Sequence, residues 1–114
     1  MQIQHSERDG VAVLTLDGET LGGPDGSALH DRIQTVRRDG GPDNVVVDLA
    51  TVRHMNSSGL GMLLGALTSV RNAGGDLRLA GVDGRVATLL DVTRLADVFQ
   101  SFPTADAAVA SFAG

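Results

Sequence analysis

The stretch Val45-Val46-Val47-Asp48-Leu49-Ala50, followed by residues 51–55 and then Asn56-Ser57-Ser58-Gly59-Leu60-Gly61-Met62-Leu63-Leu64, decides the reading of this chain. Three valines and a leucine around one aspartate suit a central parallel strand covered on both faces. A short polar turn follows. Two serines then open a helix over residues 57–72, with Leu60, Leu63, Leu64, Leu67 and Val70 on one apolar stripe. That layout sets two hydroxyls at the end of a helix where N–H groups lack partners and the macrodipole is positive, a setting that welcomes an anion. Asn and Ser are also preferred N-cap residues, but one cap needs only one of them. Gly59, Gly61 and Gly65 each lower helix propensity by up to ~1 kcal/mol relative to Ala. They imply close approach to the helix backbone, by a neighbouring strand or by a docking partner.

Outward from that stretch, residues 2–7 read as an edge strand, Arg8-Asp9-Gly10 as a hairpin turn, and residues 11–16 as a second strand of high β-propensity. Gly22-Gly23-Pro24-Asp25-Gly26 is a glycine-rich connection. It is no P-loop, because no Gly-Lys-Ser/Thr follows. A helix over residues 27–38 carries Ala28, Leu29, Ile33 and Val36 inward and stops at Asp39-Gly40-Gly41-Pro42. Residues 76–82 alternate as a strand, residues 84–91 form a helix burying Val86, Leu89 and Leu90, and residues 98–102 form a last short strand. Pro103 leads into a terminal helix over residues 105–112. The order β-β-α-β-α-β-α-β-α predicts an α/β fold: a single domain over residues 1–114 with a mixed, mostly parallel sheet backed by helices.

Composition narrows the function. The net charge is -5, all nine basic residues are Arg, and only three residues are aromatic. Such a chain lacks both the basic footprint and the stacking platforms of a nucleic-acid binder. There is no Cys, so thiolate metal sites and disulfides are excluded. No apolar run approaches the ~18 residues of a membrane span, and the N-terminus lacks a signal pattern, so a soluble, cytoplasmic protein without membrane insertion is expected. His5, His30 and His54 are dispersed, and no metal or cofactor is expected. A hydrolase would need His54 and Asp48 to line up behind Ser57. The turn lacks Gly-x-Ser-x-Gly spacing, so the chain is not read as an enzyme.

Asp48-Leu49-Ala50-Thr51-Val52, then Met55-Asn56-Ser57-Ser58-Gly59-Leu60-Gly61-Met62-Leu63-Leu64, resembles the signature of bacterial anti-sigma-factor antagonists of the STAS-domain family. Their pattern is Asp-Leu-Ser-x-Val, a short gap, then Asp-Ser-Ser-Gly-Leu-Gly. The resemblance covers essentially the whole chain and implies a STAS-like fold. It also implies a partner switch controlling sigma-factor release and transcription. In it Ser57 is the phosphorylation site, the donor is an ATP-using serine kinase that doubles as an anti-sigma factor, and a serine phosphatase restores the hydroxyl. Met55, Asn56, Ser58, Gly59, Leu60 and Met62 would form the docking patch, with the loop at residues 22–26 as rim. Met62 reads equally as a core residue. The sequence departs from the pattern at Asn56, where the family commonly has Asp, and after Gly18-Glu19, where Thr20-Leu21-Gly22 stands in place of a nearby Asp. Alternative roles within the same fold are a subunit of a stress-signalling complex or a lipid-transport accessory protein. An alternative of another class is a small hydrolase using Ser57 with His54.

Overall fold

The computed structural model describes residues 2–18, 20–21, 26–38, 40–82 and 84–113. In chain order the elements are β1 (Gln2–Arg8), β2 (Val11–Asp17), β3 (Thr20–Leu21), α1 (Gly26–Arg38), β4 (Asn44–Asp48), β5 (His54–Met55), α2 (Ser57–Asn72), β6 (Leu77–Ala80), α3 (Gly84–Val92), β7 (Ser101–Phe102) and α4 (Ala105–Ser111). The main sheet has the order β1-β2-β4-β6-β7. Among the described strands of this sheet only β1 runs antiparallel to its neighbour; the other pairs are parallel. The α/β fold with a mixed, mostly parallel sheet backed by helices is therefore as the sequence predicts.

The opening hairpin turns through Asp9 at φ 52° and Gly10 at φ 78°. Two successive positive φ values are what a tight, strand-twist-compatible hairpin needs, and Asp-Gly supplies them. In β4 the strand alternation separates two cores. Val45 and Val47 join a large cluster with Leu29, Ile33, Leu63, Leu67, Val70 and Leu90, contributed by α1, α2 and α3. Val46 points to the other face, where it meets Val11, Val13, Ala80, Ala108 and Val109 under α4. Val46 and Val47 are both fully buried, as a central strand sandwiched between helix layers requires.

The short helix α4 is held by more than its small apolar underside. Arg78 of β6 lies over the Phe112 ring, 4.0 Å from its centroid, and its Nη1 donates to Ser111 Oγ at 2.6 Å. Arg8 at the end of β1 pairs with Asp106.

Several expectations change. The structure adds a second sheet: β3 and β5 pair in parallel, Thr20 with His54 and Leu21 with Met55. The sequence reading assigns no strand to either segment. Two-residue strands are too short to show a period, and only their pairing makes them strands. Ala28 is exposed, whereas Leu29, Ile33 and Val36 of the same helix are buried. The last strand is shorter than expected: Val98 lies in a turn and is 37% exposed, Phe99 is buried, and pairing starts at Ser101. The connection at residues 22–25 lies outside the described residues.

Candidate functional site

The site is built where β4 ends. Leu49 N–H donates to the Ala80 carbonyl at 2.8 Å, extending the ladder one residue past the strand. The Asp48 carboxylate then turns the chain by accepting the Ala50 N–H at 3.0 Å. The Thr51 hydroxyl donates to the Leu16 carbonyl at 2.9 Å, tying the turn to the end of β2. Gly81 sits beneath this turn at φ +70°, and a Cβ there would come within 2.8 Å of Ala50. Only glycine suits both the backbone conformation and the contact. After Val52, which is buried, β5 crosses to pair with β3, and the chain enters α2.

Asn56 is the N-cap of α2, with extended backbone at φ -101° and ψ -178°. Its Oδ1 accepts the Gly59 N–H at 2.9 Å, and its carbonyl accepts the Leu60 N–H at 3.0 Å. The cap is thus complete with Asn56 alone. Ser57 and Ser58 occupy the first two helical positions, are exposed, and make no side-chain hydrogen bond to the described residues. The first turn of α2 contains no acidic residue, so nothing in it neutralises the positive end of the helix.

The remaining residues of the sequence-derived patch divide by burial. Met55 and Met62 are half-buried and pack against the main core, so Met62 serves the core and keeps part of its surface outside. Gly59 is buried, and Leu60 is 7% exposed. These two residues lie beneath the surface that Asn56, Ser57 and Ser58 present. The helix glycines also resolve. A Cβ on Gly61 or Gly65 would meet nothing within 4 Å, and both residues are exposed. No strand or helix among the described residues therefore needs them to be glycine. They lie four residues apart, on the face that begins at Ser57.

Asp48 is engaged in its own turn at Ala50, and His54 lies in β5. Among the described residues no group of three or more His, Asp or Glu side chains is placed to hold a metal ion. No helix of the described residues is long and apolar enough to cross a membrane.

Comparison with known proteins agrees with this geometry. The STAS domain model matches residues 2–108. The chain is 38% identical over 70 residues to an anti-sigma-B factor antagonist of Staphylococcus epidermidis, a match spanning 61% of this chain and 64% of that protein. An anti-sigma factor antagonist from Mycobacterium paratuberculosis superimposes with a TM-score of 0.82 at 24% identity, covering 96% of this chain and 92% of the other. The Bacillus cell fate determinant SpoIIAA, in its phosphorylated form, superimposes with a TM-score of 0.73 at 18% identity, covering 97% and 99%. The fold and the capped serine turn define a small α/β domain of the STAS type, and the chain belongs to the STAS domain family.

Proposed function

We propose that this protein is an anti-sigma-factor antagonist, a cytoplasmic partner-switching regulator that acts as a binding protein rather than an enzyme. Unphosphorylated, it binds an anti-sigma factor that is also an ATP-dependent serine kinase, and a sigma factor is released. Phosphorylation on Ser57 breaks that complex, and a serine phosphatase restores it.

One observation carries this reading. Asn56 completes the helix cap, which leaves the Ser57 hydroxyl exposed and without a hydrogen bond to the described residues. Capping therefore does not account for Ser57. A phosphate there adds about -1.5 to -2 charges and three acceptor oxygens at a helix end that tolerates them. A partner docked over Asn56, Ser58 and the exposed part of Met62 would have to bury that charge unpaired, which is strongly unfavourable. The name of the Staphylococcus relative and the likeness to phosphorylated SpoIIAA support the same reading.

The test is to incubate the protein with the partner kinase and ATP and to locate the phosphate by mass spectrometry. Phosphate on Ser57 is expected. Phosphate on Ser58 alone, or on neither serine, would overturn the assignment.

A further inference from the structure

The two edges of the main sheet are unlike. β7 has two residues, and β1 has seven. Every residue of β1 pairs with β2 in unbroken register, from Gln2 opposite Asp17 to Arg8 opposite Val11. The strand contains no bulge and no proline. Its outer side therefore offers backbone donors and acceptors along about 23 Å, the span of seven extended residues. Proteins normally shorten, bulge or cover such an edge.

The sheet also extends past the helix layer at β1. Ile3 packs on the main core, but grooves of about 370 Å³ and 240 Å³ run between β1 and α1, and Arg32 lines both. His5 and Glu7 line the smaller one, 3.8 Å apart between Nε2 and Oε1.

We propose that β1 is a dimerisation edge, pairing antiparallel with β1 of a second copy about Ser6. Donor–acceptor complementarity selects both the occupant and the register. With Ser6 opposite Ser6, each His5 meets the Glu7 of the second copy and each Gln4 meets its Arg8. The result is an alternating ring of two imidazoles and two carboxylates, in which each imidazole N–H faces a carboxylate acceptor across the strands. Moving the centre to His5 sets two imidazoles against each other and places Glu7 opposite Ile3. Moving it to Glu7 sets two carboxylates face to face, which is destabilising. The Ser6-centred register thus sets donors against acceptors, whereas the His5-centred one leaves Glu7 against Ile3 and the Glu7-centred one opposes two carboxylates.

The two-fold axis stands perpendicular to the sheet, so the two sheets become continuous and both α1 helices lie on the same side. Because the axis reverses strand direction, the two Ser57 turns end up at opposite ends of the dimer, both open. The proposal does not depend on the role of Ser57.

Sedimentation equilibrium over a concentration series reaching high micromolar tests it. A reversible monomer–dimer equilibrium is expected; a monomer at every concentration overturns the proposal. Glu7 has an exposed side chain, so Glu7→Arg should fold normally by circular dichroism and weaken the dimer about tenfold or more. The charge swap His5→Glu with Glu7→Arg should restore it. A dimer indifferent to Glu7→Arg, or not restored by the swap, overturns the proposal. Val92→Asp on the exposed end of α3 should leave the dimer intact, and its loss there would move the interface away from β1.

Discussion

Asn56 Oδ1 accepts the backbone N–H of Gly59 at 2.9 Å, a bond that closes the first turn of α2 around Ser57 without using it. The capping atom and the hydroxyl proposed as the phosphate acceptor are neighbours in sequence but separate in role. Stability and the proposed switch should therefore be separable by substitutions at adjacent positions.

Replacing Asn56 by Ala should remove the cap and destabilise the protein by about 1 kcal/mol in urea or guanidinium unfolding. Asn56→Asp keeps an acceptor oxygen and adds a favourable charge at the helix N-terminus, so its stability should match or slightly exceed the parent. Equal loss in both variants would show that the bond to Gly59 is not what holds the turn.

Ser57→Ala should change stability by no more than about 0.5 kcal/mol, because an exposed hydroxyl without a hydrogen bond to the described residues contributes little. The same variant should take up no phosphate from the proposed partner kinase. Ser57→Asp should weaken binding to that kinase by roughly tenfold or more, since a charge buried without a partner in an interface is worth several kcal/mol. Titration calorimetry reads this directly, and undiminished affinity would contradict the switch.

Glycines near the site should respond to Ala with opposite signs. Gly61→Ala and Gly65→Ala face open space within a helix, and each should stabilise the free protein by up to about 1 kcal/mol. Gly81→Ala combines φ +70° with a contact of 2.8 Å to Ala50 and should destabilise it by more than about 1 kcal/mol. Thermal unfolding of the three variants compares them. If the exposed glycines admit a partner's close approach, the stabilised variants should also bind that partner less tightly.

Arg94 holds φ 62° just beyond α3, with its N–H on the Asp91 carbonyl at 3.1 Å. A left-handed conformation is unfavourable for a residue with a Cβ by roughly 1–2 kcal/mol. Arginine recovers part of this through its charge at a helix C-terminus, typically about 0.3–1 kcal/mol. Arg94→Gly should therefore raise stability by about 0.5–1 kcal/mol at moderate salt. The gain should grow as salt screens the lost charge interaction, which denaturation at two ionic strengths would reveal.

Elements whose signals are local were legible in the chain's residues. The bounds of α2 at Ser57 and Asn72 follow from a cap, a 3.6-residue stripe and a closing Gly-Gly, all within one stretch of chain. Asp9-Gly10 marked the hairpin, and the run of valines marked a strand buried on both faces. The serine turn could be singled out because it holds more cap-type residues than one cap uses. Features that depend on partners distant in sequence emerge only once the chain is folded. Folding assigned the cap to Asn56 and so left Ser57 outside. It set Leu60 and Gly59 beneath the patch, and it turned Gly61 and Gly65 to open space. The pairing of β3 with β5 joins two residues to two others more than thirty positions away, and neither pair has a period of its own. Propensity and capping act over a turn of helix or a few residues of strand. Burial and two-residue pairings are set by which surfaces the rest of the chain brings alongside.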